Sequence, residues 1–314
     1  MANQATPNAG KPKPKIPTEC ASGRARPSRA QKKMGRISVG RPPLAKKPQA
    51  ALSAAATRNF IRTHHQLSKE LAKAESQGKE AEASELRKLI SDLGGLKSYQ
   101  AASIIGQSNE RGGDSSVVLM EWLEPLAAEM SKLPAKLRLL EVGALSTKNA
   151  CAKSGLFDIE RIDLFSETKG IVQQDFMERP IPSHGRDRFD IISLSLVLNF
   201  VPDAIGRGEM LKHTCKFLDT HAPRSFAELQ DKVPALFLVL PAPCIWNSRF
   251  LSEERLTCLM ASLGYVLLQL KLTTKLMYTL WLLRDEPVPE DQDFPKKQIN
   301  PGGGKNNFSI ILKN

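Results

Sequence analysis

Four short stretches of this 314-residue sequence gather acids, amides and aromatics beside glycine or proline turns. The first is Leu139-Leu140-Glu141-Val142-Gly143-Ala144-Leu145-Ser146, an apolar run that ends in an acid and a glycine. A glycine just beyond a strand lets the main chain approach a ligand with no Cβ in the way. Asp163, within Ile162-Asp163-Leu164, follows twenty residues after Gly143. An acid at that distance accepts both hydroxyls of a ribose, and the glycine-to-acid spacing marks a site for an adenosine-containing cofactor. A dinucleotide site wants G-x-G-x-x-G, so that a helix N-terminus meets the pyrophosphate. Here the string is Gly143-Ala144-Leu145-Ser146-Thr147-Lys148, with one glycine, and a pyrophosphate would meet side chains. S-adenosylmethionine carries no phosphate, and its amino and carboxylate groups tolerate a less stripped turn. It is the expected cofactor, with Glu141, Gly143 and Asp163 as its first contacts.

The second stretch is Gln173-Gln174-Asp175-Phe176-Met177. Asp175 is expected to accept from the adenine amino group and Phe176 to pack on the base; the competing reading makes Asp175 a turn cap. The third is Leu196-Val197-Leu198-Asn199-Phe200-Val201-Pro202-Asp203. Two readings are open: Asn199 is a catalytic-loop amide beside the sulfonium, or the segment packs beneath the cofactor. The fourth, Pro241-Ala242-Pro243-Cys244-Ile245-Trp246-Asn247-Ser248-Arg249, offers Trp246, Asn247 and Arg249 to an acceptor. Aromatics stack bases and Arg meets phosphate; a core Trp with Asn247-Ser248 as a helix cap is the alternative. The five His and five Cys form no metal-ligand spacing, so no protein-bound metal is expected.

These groups need a scaffold that brings strand ends together. From residue 136 the pattern alternates strands and helices: strands over 137–142, 160–164, 170–175, 189–197 and 235–240, with helices over 207–218 and 252–263. The fourth strand is almost continuously apolar, as a strand buried on both faces is. Two further strands, 265–272 and 276–283, close the pattern. The reading is an open, mainly parallel α/β sheet with a C-terminal antiparallel hairpin, the Rossmann-like arrangement that holds ligands at the carboxyl ends of its strands. Before it, apolar residues at helical spacing run from 63 to 93, with a polar middle at 76–80 that divides them. Ser115 or Ser116 caps a further helix over Val118–Ala127.

The chain carries 45 Lys and Arg against 33 Asp and Glu, net +12. Residues 1–62 hold 14 basic groups and one acid, Glu19; the remaining 252 hold 31 basic and 32 acidic groups. The charge therefore belongs to an arm, which excludes a protein that is basic throughout. With its prolines and few large apolar groups, the arm is expected to be disordered. No apolar core follows its charges, so it is not a secretory signal, and its prolines break a presequence helix. No apolar run reaches the ~18 residues of a membrane span. An odd cysteine count without C-x-x-C fits a reducing compartment. The expected division is an arm over 1–62, a helical segment over 63–135, a cofactor-binding domain over 136–284 and a flexible tail over 285–314, whose apolar island Phe308-Ser309-Ile310-Ile311-Leu312 has docking on the body or a partner as its alternative reading.

Longer runs carry a resemblance. Tyr99-Gln100-Ala101-Ala102-Ser103 with Gly106-Gln107, Arg111-Gly112-Gly113-Asp114-Ser115-Ser116, Leu140–Ser146, Gln173–Pro180, and Ile192–Pro202 followed by Arg207-Gly208 are shared with one family. The chain resembles the fungal 25S ribosomal RNA adenine-N1 methyltransferases over about residues 95–284. The resemblance implies a class I methyltransferase fold, S-adenosylmethionine as donor and a large-subunit rRNA adenine or pre-ribosome as acceptor, in the nucleus and nucleolus, with cofactor contacts on Gly143 and Asp163. Phe165 stands where the family pattern has Asn. Adenine N1 has a lone pair and no proton to lose, so the reaction it implies is an in-line displacement resting on proximity and orientation, on a base that is unpaired or flipped. The arm then supplies phosphate attraction or an import signal. The same resemblance extends to animal S-adenosylmethionine sensors, so a non-catalytic sensor is the alternative reading.

Overall fold

The strand segments assemble as a seven-stranded sheet in the order β3-β2-β1-β4-β5-β7-β6. The strands are β1 (Leu137–Val142), β2 (Phe157–Asp163), β3 (Val172–Gln173), β4 (Ile191–Ser195), β5 (Ala235–Pro241), β6 (Tyr265–Leu272) and β7 (Leu276–Leu283). Strands β1 to β5 pair in parallel, whereas β7 is antiparallel to both β5 and β6. This is the expected class I methyltransferase architecture. The computed structural model describes residues 54–95, 98, 101–102, 113–166, 168–220, 229, 231–284 and 293–313. The basic arm through residue 53, and the shared runs at 99–100, 103–107 and 111–112, lie outside the described residues.

Helices α1 (Ala54–Ser76) and α2 (Glu80–Asp92) form the N-terminal pair. The polar middle divides them as expected: Gly78 takes φ +67° there. Their shared contact is small, Ala74, Ala83 and Leu86 with Leu67 and Leu71 against them. Helix α1 runs from Ala54, the first described residue, and so includes residues ahead of the expected 63. Helix α3 (Ser116–Leu123) stops at Pro125 and continues as a 3₁₀ turn and α4 (Ala127–Met130), since proline cannot supply the next helical N–H. On the sheet lie α5 (Ala150–Ser154), α6 (Ala204–Phe217), α7 (Pro243–Trp246) and α8 (Glu253–Ala261). Helix α6 starts three residues before the expected 207 because Asp203 caps it, its Oδ1 accepting from Gly206 N at 2.7 Å.

Two apolar clusters cover the sheet. Leu140, Ile162, Ile192, Leu236 and Leu238 pack on α6 and α8 through Leu211, Phe217, Leu256 and Leu259. Leu139, Ile191, Ala235, Phe237 and Val239 face Val118, Leu119 and Leu123 of α3. Alternate residues along each strand go to opposite faces.

The C-terminal segment corrects the expectation of a flexible tail. Residues 293–313 lie along the first cluster, with Phe294, Phe308, Ile310 and Leu312 all buried in it. Phe294 N donates to Leu312 O at 3.0 Å, Asn306 N to Asn247 O at 2.9 Å and Ile311 N to Ala204 O at 2.9 Å. An extended segment escapes a period-based reading, yet four large apolar groups are enough to hold it down.

Candidate functional site

Parallel pairing puts the ends of β1, β2, β3 and β4 on one edge of the sheet. Val142 is opposite Ile162 and Leu194, and Asp163 is opposite Gln173. The first turn therefore opens between the two central strands. Gly143 turns the chain with φ +72°, and its N–H donates to Ile162 O at 2.9 Å. A Cβ at this position would sit 2.5 Å from Val197 Cγ2, so the loop after β4 closes on the turn. Leu196, the first residue past β4, itself has φ +59°, a conformation that a bulky residue rarely takes and that costs about 1–3 kcal/mol. Strain of that kind concentrates at functional sites.

The turn after β1 is braced from below and from the side. Glu141 is buried; its Oε1 accepts from Asn149 Nδ2 at 2.5 Å and its Oε2 lies 3.0 Å from Arg161 Nε. Burial pushes the Glu141 carboxyl above the usual carboxylate range, while the Asn149 amide and Arg161 guanidinium pull the other way. Both oxygens are thus engaged inside the protein, and Glu141 holds the turn's shape. Asn149 also caps α5, its Oδ1 accepting from Ala152 N at 3.0 Å. Asp114 reaches in from the N-terminal segment, where Oδ2 accepts from Ala150 N at 2.5 Å and Oδ1 from Ser116 N and Oγ. Ser115 Oγ meets Ser195 Oγ, at the end of β4, at 2.7 Å.

This bracing bears on which ligand the turn could hold. A pyrophosphate on the helix after the first strand needs that helix's free N–H groups. Here an amide and a carboxylate already occupy them, and Asp114 adds negative charge where phosphate would sit. The residues fit a donor without phosphate. Sequence reasoning does not single out Asp114, Ser115 or Asn149 for this role. Their signals are a shared Asp-Ser-Ser run and an Asn three residues before Ala152.

Further along the edge, Asp163 is partly exposed, and its Oδ1 accepts from Phe165 N at 2.9 Å. A backbone N–H serves here, so Phe165 in place of Asn leaves the turn intact. Asp175 makes the same kind of turn, accepting from Met177 N at 2.8 Å, and is partly exposed. Phe176 departs from expectation: it is 2% exposed, with its ring against those of His213 and Phe217 at 5.0 and 5.3 Å. It supports the Asp175 turn from within the core, because the turn points the preceding side chain outward and this one inward.

Asn199 lies in the loop after β4, and its Oδ1 is buried without a hydrogen-bond partner among the described residues. Trp246, at the end of α7, is 58% exposed beside the end of β5. Its expected companions are taken. Arg249 Nε donates to Gly302 O at 3.3 Å and Nη1 to Asn307 Oδ1 at 2.7 Å, and Asn247 Nδ2 donates to Gly304 O at 3.4 Å. The C-terminal segment supplies these acceptors, so Arg249 and Asn247 fasten it down. Among the described residues no cluster of three His, Cys, Asp or Glu is placed to hold a metal, and no helix is long and apolar enough to cross a membrane.

Solved structures with a similar fold include a 1,6-didemethyltoxoflavin-N1-methyltransferase from Burkholderia thailandensis (TM-score 0.38, 12% identity, 59% of this chain and 87% of that one). A SAM-dependent methyltransferase from Aquifex aeolicus is another (TM-score 0.32, 13% identity, 54% of this chain and 94% of that one). Among curated proteins, the 25S rRNA (adenine(2142)-N(1))-methyltransferase of Saccharomyces cerevisiae is 40% identical over 71% of this chain. That match spans 61% of the yeast protein's own length. The 25S rRNA adenine-N(1) methyltransferase of Schizosaccharomyces pombe is 38% identical, over 80% of this chain and 89% of its own. A family model described as 25S rRNA (adenine(2142)-N(1))-methyltransferase, Bmt2, matches residues 84–310. The chain belongs to the Bmt2 family of 25S rRNA adenine-N1 methyltransferases.

Proposed function

We propose that this protein is an S-adenosylmethionine-dependent methyltransferase that methylates N1 of an adenine in large-subunit rRNA, acting in the nucleolus on rRNA or a pre-ribosome. The observation that carries the reading is the edge itself: a glycine turn and two turn-forming acids on adjacent parallel strand ends, with the following helix's N–H groups closed to phosphate. Membership of the family supports the acceptor.

In this reading Gly143 gives main-chain access, Asp163 takes the ribose hydroxyls and Asp175 the adenine amino group. When bound, the donor supplies an electrophilic methyl on a sulfonium. The protein's part is to orient. Adenine N1 presents a lone pair at neutral pH, so no side chain has to remove a proton. The unpartnered Asn199 acceptor lies in the loop after β4, where an amide oxygen can take an N–H from the acceptor base and set the angle of approach. Trp246 offers an exposed ring for stacking a base.

The test is to incubate purified protein with labelled donor and unmodified large-subunit rRNA, then map the label. Methylation at adenine N1 is expected. Tight donor binding with no transfer to RNA overturns the enzyme reading in favour of a sensor.

A further inference from the structure

Arg207 is a buried cation outside the donor site, and its surroundings are unusual. The residue is 4% exposed and lies in the first turn of α6. Its hydrogen bonds go to three main-chain carbonyls: Nε to Val201 O at 3.0 Å, Nη2 to Pro202 O at 3.0 Å, and Nη1 to Ser309 O at 2.6 Å. Its plane lies over the Phe308 ring, 4.5 Å from the centroid. Burial lowers its proton affinity, and nearby Cys244 and Asp203 oppose that fall. Two of the carbonyls belong to the loop after β4 and the third to the C-terminal segment, so one side chain ties together strands of chain 102 residues apart.

The neighbouring contacts make the same junction. Gly208 lies so close to Ile311 that a Cβ there would overlap Ile311 O. The segment continues to the other loop of the site: Ser248 Oγ donates to Phe308 O at 2.5 Å, Asn306 Nδ2 to Pro243 O at 2.6 Å and Asn300 Nδ2 to Ser248 O at 3.2 Å. Residues 293–313 thus bridge the loop after β4, which carries Asn199, and the loop after β5, which carries Trp246. None of these bonds reaches the Gly143 turn, Asp163 or Asp175.

We propose that Arg207 is a positioning residue and that residues 293–313 form a clasp for the acceptor side of the site. The clasp sets the loops carrying Asn199 and Trp246 against each other through the Val201–Pro202 end of the first, and leaves the donor side to the Val197 contact and the ends of β1, β2 and β3. Arginine suits the task because its fixed fork of donors meets three carbonyls that diverge from one point; a lysine ammonium on a flexible stem cannot span them. The assignment of an acceptor side rests on the proposed methyltransferase function; the mechanical link does not.

The experiment uses full-length Arg207→Lys, Arg207→Met and Phe308→Leu, the last keeping apolar bulk while removing the ring under the guanidinium. Three measurements are made on each: donor dissociation constant by calorimetry, hydrogen exchange of peptides covering 199–206 and 306–313, and single-turnover methylation of unmodified large-subunit rRNA. Donor affinity within about twofold of wild type is expected. Exchange should rise at least about tenfold in both peptides together. The methylation rate should fall at least about tenfold at saturating RNA, most in Arg207→Met and least in Phe308→Leu. Exchange rising across the whole sheet, or donor affinity falling in step with activity, overturns the proposal and makes Arg207 a general stabiliser. Loosened peptides with an unchanged rate also overturn it. Should wild-type protein methylate no RNA, the function fails but the clasp is still judged by exchange: joint loosening of the two peptides supports it, and independent exchange refutes it. If Arg207→Met does not fold, Phe308→Leu decides the same points.

Discussion

Replacing Gly143 by alanine separates two physical demands made on one residue. The first is conformational: at φ +72° a Cβ crowds its own carbonyl, at about 1–2 kcal/mol. The second is contact: that Cβ would stand 2.5 Å from Val197 Cγ2, where carbons prefer about 3.5–4.0 Å, and forced overpacking costs about 1–3 kcal/mol. Gly143→Ala should therefore lose about 2–5 kcal/mol, a large part of a typical 5–15. Val197→Ala alone removes two methyls, about 1.6 kcal/mol at most for a partly buried side chain. In the Gly143→Ala background the same truncation relieves the overlap, so it should cost nothing or stabilise. The two changes should couple by about 1–3 kcal/mol, leaving the conformational share and the lost Val197 burial in the double variant. Urea unfolding of the four proteins, followed by far-UV circular dichroism with a common slope, gives the cycle. Additivity within about 0.5 kcal/mol would refute the claim that the loop after β4 closes on this turn.

Three other outcomes follow from the same geometry. Asp163→Ala should weaken donor binding about a hundredfold or more, since two hydrogen bonds to an ionised acceptor are worth about 1.5–3 kcal/mol each; calorimetry showing wild-type affinity would sink the ribose assignment. Arg161→Met leaves the buried Glu141 carboxylate with only the Asn149 amide, and should cost about 3–5 kcal/mol in mildly alkaline buffer. Because burial already raises the Glu141 pKa above its unfolded value, the folded state holds the proton more tightly, and stability contributed by this group falls as pH rises through that window. The Arg161→Met loss should accordingly shrink as pH is lowered and the acid is neutralised; urea unfolding that shows the same loss at every pH from about 4 to about 8 would mean that the cost does not come from the Glu141 charge. Deleting residues 1–50 should leave donor affinity unchanged and lower both RNA affinity and its salt slope, measured by filter binding across salt concentrations. An unchanged salt slope would limit the arm to targeting.

The strand ends and turns proposed to hold the donor were legible because their signals are local. Each strand end is an apolar run followed by a glycine or an acid, and hydrogen bonds within two residues fix Asp163 and Asp175 in their turns. What was not legible depends on partners far away in the chain. Asp114 acts on Ala150 and Ser115 on Ser195, 80 residues off, and no periodicity announces either contact. Arg249 and Asn247 have side chains suited to RNA, and nothing near them in sequence reveals that Gly302, Gly304 and Asn307 take those donors. Phe308, Ile310 and Leu312 alternate over too few residues, in a glycine- and lysine-rich setting, to be told from a free tail. For Phe176, spacing identifies the turn but not which of its two residues points inward.

The clasp also fixes an order of events during synthesis. Gly143, Asp163 and Asp175 have all been made once residue 177 is in place, but their turns wait for Val197, His213 and Phe217, which pack against them. Ser309, which Arg207 requires, is added 102 residues after it, about 5–20 s later at ordinary elongation rates. The β5 edge likewise waits for β7 before its antiparallel partner exists. A chain stalled before Ser309 therefore carries the loop after β4 without the tie that Arg207 makes, and the junction closes only at the end of synthesis.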